Sequence, residues 1–405
     1  MDTEIALMFA KINQTFTPSA PIDDSKLFAG RTRQLREIID AASQKGRHAI
    51  VFGERGVGKT SLANVLTALA PSIMKAITVK VNCESASEFS AIWRAVFKNF
   101  VLSTQRQTIG YSESHTFESA LATNLLPSGE ITPEDIHYAL SRLPGPTMIV
   151  IDELDRIRST QTIASLADTL KTLSDNASPS TLILIGVADS VDDLIQEHNS
   201  IERALVQIHM PRMSATELHE IIDKGLQEVE INIEPGARSR IASLSQGLPH
   251  YTHFLCLNSC KNAVLNERTE INSKDVKTAV DKVVESAQQS IKRFYHTATI
   301  STRENLFSQV LLSCALAECD QLGYFSASDI RKPLSIVTHR EYEIPAFSRH
   351  LNEFCDKKRG SILQRTGHPR RYRFRFTNPL ISPYVIMKGL SSGLINDSAL
   401  IKSVI

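Results

Sequence analysis

One segment constrains the fold of this chain more than any other. An apolar run from His48 to Phe52 leads into the pattern G-x-x-x-x-G-K-T between Gly53 and Thr60, and a helical pattern begins at Ser61. Glycines let a backbone curl so that several N–H groups point inward, and a helix that starts there adds the positive end of its dipole. The segment therefore predicts a strand, a phosphate-binding loop and a helix, in that order.

The loop predicts a site for ATP and Mg²⁺. We expect the Lys59 ammonium to reach the β- and γ-phosphates and the Thr60 hydroxyl to be a ligand of Mg²⁺. The residues expected to line the nucleotide through this loop are Gly53, Glu54, Arg55, Gly56, Val57, Gly58, Lys59, Thr60 and Ser61.

Carboxylates follow a second apolar run, Met148 to Ile151. Asp152 would project at the carboxyl edge of a parallel sheet, beside the loop, and hold Mg²⁺ through water. Glu153 is placed to polarise the attacking water as a general base. The two motifs together favour hydrolysis over binding alone. Asp189 follows a third apolar run and is predicted to lie between them, where it would orient the water or contact the γ-phosphate; a plain turn residue is the alternative.

Bulk properties indicate a soluble globular protein. At 405 residues, with 42% hydrophobic and 22% charged residues and a net charge of +1, the chain is expected to form two or three domains. Its six cysteines form no C-x-x-C pair and no zinc spacing. We see neither a signal-peptide pattern nor an apolar run of membrane-span length, so we expect a cytoplasmic protein with no membrane partner.

Changes of pattern divide the chain into regions. We predict a lead-in over 1–25, an α/β core over 26–212, a helical lid over 213–290, a C-terminal domain over 300–390 and a tail over 391–405. Within the core, residues 104–132 are rich in Ser, Thr and Gly and predict an ordered insertion or a loop. Parallel strands are expected at His48–Phe52, Ile77–Asn82, Met148–Ile151, Leu182–Val187 and Val206–Met210.

The chain resembles AAA+ ATPases. The resemblance rests on Phe28-Ala29-Gly30-Arg31 followed by Leu35, the two motifs above, the strand ending Ile-Gly-Val-Ala and the helical lid. It is greatest to the origin-recognition, transposition-regulator and STAND-like branches. It implies a five-stranded parallel αβα P-loop core, an α-helical lid and a C-terminal winged helix. It further implies that Phe28, Gly30 and Arg31 lie near the adenine, and that Asp189 takes a sensor position usually held by Asn.

The same resemblance suggests roles for further residues. Arg203 would reach the nucleotide of an adjoining subunit as an arginine finger, with Arg212 as the alternate; a surface salt bridge is the other interpretation of either. Pro249, in Gly247-Leu248-Pro249, would lie against the base. His250 stands where many relatives carry a sensor arginine, and an ordinary helix-start residue is the alternative.

A basic segment follows near the C-terminus. Between Lys357 and Arg375 there are eight Lys or Arg residues and no acidic residue. Predicted helices at Asn305–Glu318 and Ile344–Phe354, then a hairpin of Ser361–Thr366 and Arg371–Phe376, are typical of a winged helix. The residues predicted to contact DNA phosphates are Lys357, Lys358, Arg359, Arg365, Arg370, Arg371 and Arg373. A winged helix that only packs against protein, as in STAND-like ATPases, is the alternative.

Three functions follow from these observations. The first is a weak, partner-stimulated ATPase that assembles into a homo-oligomer in its ATP state on double-stranded DNA and recruits or licenses a partner protein. The second is a STAND-like signalling or defence ATPase that controls a separately encoded effector without binding DNA. The third, a chaperone, is disfavoured because no aromatic pore-loop signature occurs between Cys83 and Thr147.

Overall fold

The computed structural model describes residues 3–24, 26–106, 116–195, 201–301, 305–368 and 371–397, with the side chains of 101–121 left aside. The strands are β1 His48–Gly53, β2 Ile77–Asn82, β3 Val101–Arg106, β4 Thr116–Leu121, β5 Thr147–Asp152, β6 Ser180–Val187, β7 Leu205–His209, β8 Asn232–Ile233, β9 Glu270–Ile271, β10 Phe325–Ser326, β11 Leu363–Thr366 and β12 Arg373–Phe376. The helices are α1 Thr3–Thr15, α2 Thr32–Ala42, α3 Lys59–Met74, α4 Phe89–Lys98, α5 Pro133–Ser141, α6 Thr160–Asp175, α7 Ala215–Val229, α8 Pro235–Ser245, α9 Pro249–Leu265, α10 Ser273–Ser286, α11 Gln289–Thr299, α12 Phe307–Leu316, α13 Arg331–Thr338, α14 Ile344–Phe354 and α15 Ile381–Ser391.

Five parallel strands form the central sheet, in the order β2-β5-β6-β1-β7. All six residues of β5 are buried, as are the first seven of β6, because helices cover both faces of a parallel sheet. This confirms the predicted αβα core and its five strands. The order places β6 between β5 and β1, so the carboxyl ends of the strands that carry the two motifs lie one strand apart.

Residues 104–132 contain regular structure. β3 and β4 pair antiparallel, from Val101 opposite Leu121 to Arg106 opposite Thr116, while 107–115 lie outside the described residues. A short 3₁₀ turn, Ala122–Leu125, follows β4. Of the two predicted alternatives, an ordered insertion or a loop, these elements correspond to the ordered insertion. A hairpin can form from polar Ser and Thr residues without the apolar alternation that marks a buried strand.

Contacts between Cα atoms group the chain into two compact units. One comprises Pro21–Glu54 and Gly58–Met210, which contain the central sheet. The other comprises Met1–Ala20, Arg55–Val57 and Pro211–Ile405, which contain the lid and the C-terminal domain. The predicted domain limits stay predictions.

Helices make up most of the lid. Ser214 begins α7 with the predicted capping box: its hydroxyl accepts from the Glu217 N–H at 3.2 Å, and the Glu217 carboxylate accepts from the Ser214 N–H at 2.9 Å. The predicted lead-in contains the helix α1, and α1 packs on α7 and α9. Phe16, just after α1, lies where a Cβ on Gly225 would come within 2.4 Å of its ring, so the glycine makes room for this contact.

The C-terminal domain has the element order of a winged helix. The helices α12, α13 and α14 are followed by β11 and β12, which pair antiparallel with Leu363 opposite Phe376. β10, between α12 and α13, completes a three-stranded sheet in the order β10-β12-β11. Phe374 and Phe376 of β12 are buried, whereas Arg373 is exposed and Arg375 is half-buried. The predicted helix Ile344–Phe354 has the observed bounds of α14.

Candidate active site

The loop between β1 and α3 has the backbone that a phosphate site needs. Gly53, Gly56 and Gly58 have φ angles of 151°, 88° and 97°, which L-residues rarely adopt. A Cβ on Gly53 would also come within 2.3 Å of the Met210 carbonyl oxygen. α3 begins at Lys59, so its N-terminal N–H groups lie at the end of the loop.

Lys59 points into this loop. Its side chain is largely buried, and its ammonium donates to the carbonyl oxygens of Gly53 at 2.9 Å and Glu54 at 2.7 Å. These two contacts hold the cation against the backbone of the loop, and its contact with phosphates stays a prediction. Thr60 follows in the first turn of α3 and is half-buried. The Ser61 hydroxyl accepts from the Ile22 N–H at 3.1 Å, so it also anchors the chain that precedes α2.

Asp152 ends β5 and is buried. One carboxylate oxygen accepts from the Glu153 N–H at 2.8 Å, and the other lies 3.2 Å from the Lys80 ammonium. Lys80 is on β2, beside β5, where Asn82 is opposite Asp152. Sequence reasoning missed this lysine, because nothing in the β2 pattern distinguishes it from a surface residue.

Glu153 has an unusual backbone and an ion-pair partner. Its φ of 60° is in the left-handed region, a strain of about 1–3 kcal/mol that is most common at functional sites. Its carboxylate lies 2.7 Å from the Arg156 guanidinium. Glu153 raises the pKa of Arg156 through this hydrogen bond and its charge. The side chain of Glu153 is 43% exposed, so the carboxylate is accessible to water.

Asp189 lies at the predicted edge. It follows the carboxyl end of β6, between the strands that carry Asp152 and the phosphate loop. Its N–H donates to Asp193 at 3.3 Å, and that carboxylate also accepts from the Ser190 N–H at 3.0 Å. The turn is therefore fixed through backbone groups. The sensor role of Asp189 stays a prediction.

His209 is a further residue at this edge that sequence reasoning missed. It ends β7, opposite Phe52 of β1, and the two rings have centroids 5.3 Å apart. Burial, and then the charge of Arg31, lower the pKa of His209, while Glu54 and Asp189 act in the opposite direction. A polar residue at the carboxyl end of the predicted fifth strand was the signal that could have found it.

The predicted adenine box precedes α2. Gly30 has a φ of 66° and Arg31 a φ of 59°, and Arg31 is only 2% exposed. Phe28 is half-buried. The charge of Arg31 contributes to the lowered pKa of His209. Contact with adenine stays a prediction for all three residues.

In the lid, Pro249 is the first residue of α9. The His250 ring donates from Nδ1 to the Pro18 carbonyl oxygen at 2.7 Å. Burial lowers the pKa of His250, which keeps the ring neutral at pH 7. A neutral imidazole bonded to the lead-in differs from the cationic sensor arginine of many relatives, and its nucleotide contact stays a prediction.

The two finger candidates lie in different settings. Arg203 is exposed and comes two residues before β7, hence at the sheet edge opposite the phosphate loop. The finger role of Arg203 stays a prediction. Arg212 donates to the Gln246 carbonyl oxygen at 3.3 Å. His198, Asn199 and Ser200, which precede Arg203, lie outside the described residues.

Most of the basic residues of the winged helix face solvent. Lys357, Lys358, Arg365, Arg371 and Arg373 are exposed, and Arg370 lies outside the described residues. Some have partners: Arg365 stacks on Tyr372 and donates to Asn352, and Arg373 pairs with Asp320 at 2.9 Å.

Arg359 differs from the other cations. Its guanidinium lies 3.8 Å above the centre of the Phe307 ring and donates to the Ile300 carbonyl oxygen. It also lies 3.5 Å from Glu353. These contacts give Arg359 a structural role within the winged helix, so we leave it out of the DNA surface proposed below.

A separate cavity of about 360 Å³ opens beside the turn after Glu153. It is lined by Leu154, Asp155, Arg158, Asp193 and Ile195, among others, and includes no residue of the phosphate loop. Asp155 in its wall accepts from the Val187 N–H at 2.7 Å. We assign no ligand to it.

The residues fit Mg²⁺ bound with a nucleotide. Asp152 and Thr60 offer oxygen ligands, which Mg²⁺ prefers, and one Asp152 oxygen is buried without a hydrogen bond, facing only the ammonium of Lys80. Within the described ranges, no group of three His, Cys, Asp or Glu side chains could hold a metal. Mg²⁺ would thus be held by these two residues, phosphate oxygens and water.

Fold and site together define a P-loop ATPase of the AAA+ class. The family model for Novel STAND NTPase 1 matches residues 19–307, more than half of the chain. The chain belongs to this family. A search of curated proteins found no sequence match. In the described part of the chain no helix is long and apolar enough to cross a bilayer.

Solved structures are similar to this chain at low sequence identity. The Walker-type ATPase PABY2304 of Pyrococcus abyssi is 15% identical with a TM-score of 0.50, covering 92% of this chain and 99% of that one. The Aeropyrum pernix ORC1 protein, solved in complex with DNA, is 16% identical with a TM-score of 0.47, covering 96% and 97%. Cdc6p of Pyrobaculum aerophilum is 16% identical with a TM-score of 0.47, covering 94% and 98%.

Proposed function

We propose that this chain is a molecular switch that binds ATP with Mg²⁺, hydrolyses it slowly and changes its partners with the nucleotide. The observation that carries the proposal is the convergence of Lys59, Asp152 and Glu153 at one edge of the central sheet. Lys59 binds phosphate, Thr60 and Asp152 hold Mg²⁺, and Glu153 activates the attacking water. Partner stimulation would act on this chemistry, which a strained and ion-paired Glu153 keeps slow.

Self-association is the first consequence of the switch. Arg203 is exposed and lies at the edge opposite its own phosphate loop, which supports a role as a finger that completes the site of another copy. We expect the Glu153→Gln variant, which retains ATP, to form oligomers with ATP–Mg²⁺ and to be monomeric with ADP.

Mass photometry measures the proportions of monomer and oligomer of this variant directly.

Arg203→Ala should keep ATP affinity but lower turnover by about 10³-fold at concentrations where the wild type assembles. A matched control is Arg142→Ala, an exposed arginine on the α5 side of the core. Equal turnover in wild type and Arg203→Ala would remove the finger role.

Double-stranded DNA is the candidate partner that a specific observation favours. Lys357, Lys358, Arg365, Arg371 and Arg373 are exposed on and beside the wing, and such cations bind phosphates without reading sequence. The alternative is a separately encoded effector protein, consistent with the family of the chain.

Fluorescence anisotropy of a labelled random duplex separates these partners. We expect ATP-dependent binding that the triple variant Lys357→Ala/Lys358→Ala/Arg371→Ala weakens, with a salt slope smaller by up to about 3. The charge-matched control replaces Lys274, Lys277 and Lys282, which are exposed on α10. No binding with either nucleotide, or equal loss in the control, would rule out the wing as a DNA surface and leave the effector.

A further inference from the structure

Lys80 is the residue through which Asp152 contacts a second strand. The two side chains are 17% and 4% exposed, and their charged atoms lie 3.2 Å apart. Burial makes such a pair different from a surface ion pair, because removing one partner leaves the other charged and poorly solvated. Asp152 is therefore neutralised by a cation of the protein itself before any metal arrives.

A second contact fixes the position of Lys80. Its ammonium donates to the Asn64 side-chain oxygen at 2.7 Å. Asn64 follows Thr60 by four residues on α3, so the two lie on the same face of that helix. The Lys80 ammonium thus joins three elements, α3, β2 and β5, and contacts both Asn64 and Asp152.

Two cations would share one carboxylate when Mg²⁺ binds. The charge of Lys80 repels a divalent ion, and its ammonium lies 3.2 Å from the Asp152 oxygen that has no hydrogen bond. By linkage, each cation weakens the binding of the other by the same factor.

We propose that Lys80 is a resident counter-ion of Asp152 that sets the Mg²⁺ concentration at which the switch binds its nucleotide. It is a positioning residue, since it acts on the metal through Asp152. The proposal rests on the proposed ATP–Mg²⁺ site and adds a specific control of its metal requirement. Low Mg²⁺ leaves Asp152 paired with Lys80; high Mg²⁺ displaces this pairing and engages the nucleotide.

The test is a Mg²⁺ titration of wild type and Lys80→Met with a fluorescent ATP analogue. Fluorescence of the analogue measures nucleotide binding, and the melting temperature of the protein is measured in parallel. Methionine keeps the apolar stem of lysine but removes its charge. We expect the half-saturating Mg²⁺ concentration to fall by about tenfold. The melting temperature without Mg²⁺ should fall, and the increase on adding Mg²⁺ and nucleotide should exceed that of the wild type. Lys80→Arg, which restores the charge, should return the half-saturating concentration to the wild-type range.

The outcomes of this titration test the role of Lys80 separately from the proposed ATP–Mg²⁺ site. An unchanged or higher half-saturating Mg²⁺ concentration in Lys80→Met, with wild type binding normally, would overturn the role of Lys80 alone. If wild type bound no nucleotide at any Mg²⁺ concentration, both proposals would fall. Should Lys80→Met fail to fold, Lys80→Gln replaces it, because an amide can still donate to Asp152 without carrying charge.

Discussion

Replacing Lys59 by alanine is expected to abolish nucleotide binding. The ammonium of Lys59 is buried and is already directed into the phosphate loop by the carbonyl oxygens of Gly53 and Glu54. Its loss leaves the phosphates without the one charge-assisted contact that the loop supplies from a side chain. Truncating a buried charge partner costs about 2–5 kcal/mol. The affinity for ATP should therefore fall by about 30-fold at least, and by several thousand-fold at the upper end of this range.

Isothermal titration calorimetry of ATP with Mg²⁺ measures this loss. Lys98→Ala, which removes an exposed lysine at the end of α4, is the matched control and should bind as the wild type does. Circular dichroism shows whether the variant remains folded. Wild-type affinity in folded Lys59→Ala would mean that the loop between β1 and α3 is not the nucleotide site.

Replacing Glu153 by glutamine is expected to separate binding from hydrolysis. The amide has nearly the same shape but cannot take a proton, so the attacking water loses its base. General-base catalysis contributes about 10²–10⁴-fold, and turnover should fall by that factor while ATP affinity stays within about threefold of the wild type. The ion pair with Arg156 is also lost, which frees the side chain without restoring a base.

Steady-state phosphate release and ATP affinity are measured together for this variant. Glu84→Gln is a suitable control, because Glu84 is exposed and close enough to Arg156 to influence its pKa. It should leave turnover unchanged. If Glu153→Gln turned over as fast as the wild type, the base would lie elsewhere.

Much of the core could be predicted because its signals are local. The glycines of the phosphate loop, the apolar run that ends at Asp152 and the capping box at Ser214 each determine structure within a few residues. The five strands of the central sheet were found because burial on both faces requires continuous apolar runs.

Features that depend on distant partners could not be predicted. α1 packs against the lid, where Gly225 makes room for Phe16. The two residues are separated in the sequence by the whole predicted core, so no local pattern indicates their contact. The Lys80–Asp152 pair joins neighbouring strands whose register the sequence does not state. β10 has two residues, too few to carry an alternation.

The wing contains both a feature that a local pattern predicted and contacts that no local pattern indicates. Alternating cationic and aromatic residues predicted the hairpin, and β12 covers its last four residues, Arg373–Phe376. Counting cations could not tell which of them already have intramolecular partners. Arg359, stacked on Phe307, and Arg373, paired with Asp320, have partners more than 50 residues away in the chain that the local pattern does not indicate.

The most direct test of the central claim is the chemical identity of the nucleotide that the protein holds. Wild type and Glu153→Gln are mixed with excess radiolabelled ATP and Mg²⁺, separated rapidly from free nucleotide, and sampled over time by thin-layer chromatography. Our proposal predicts that the ATP on wild type becomes ADP, that Glu153→Gln retains ATP, and that Lys59→Ala retains neither. ATP that stays intact on the wild type, or ADP that forms at the same rate on Glu153→Gln, would contradict it.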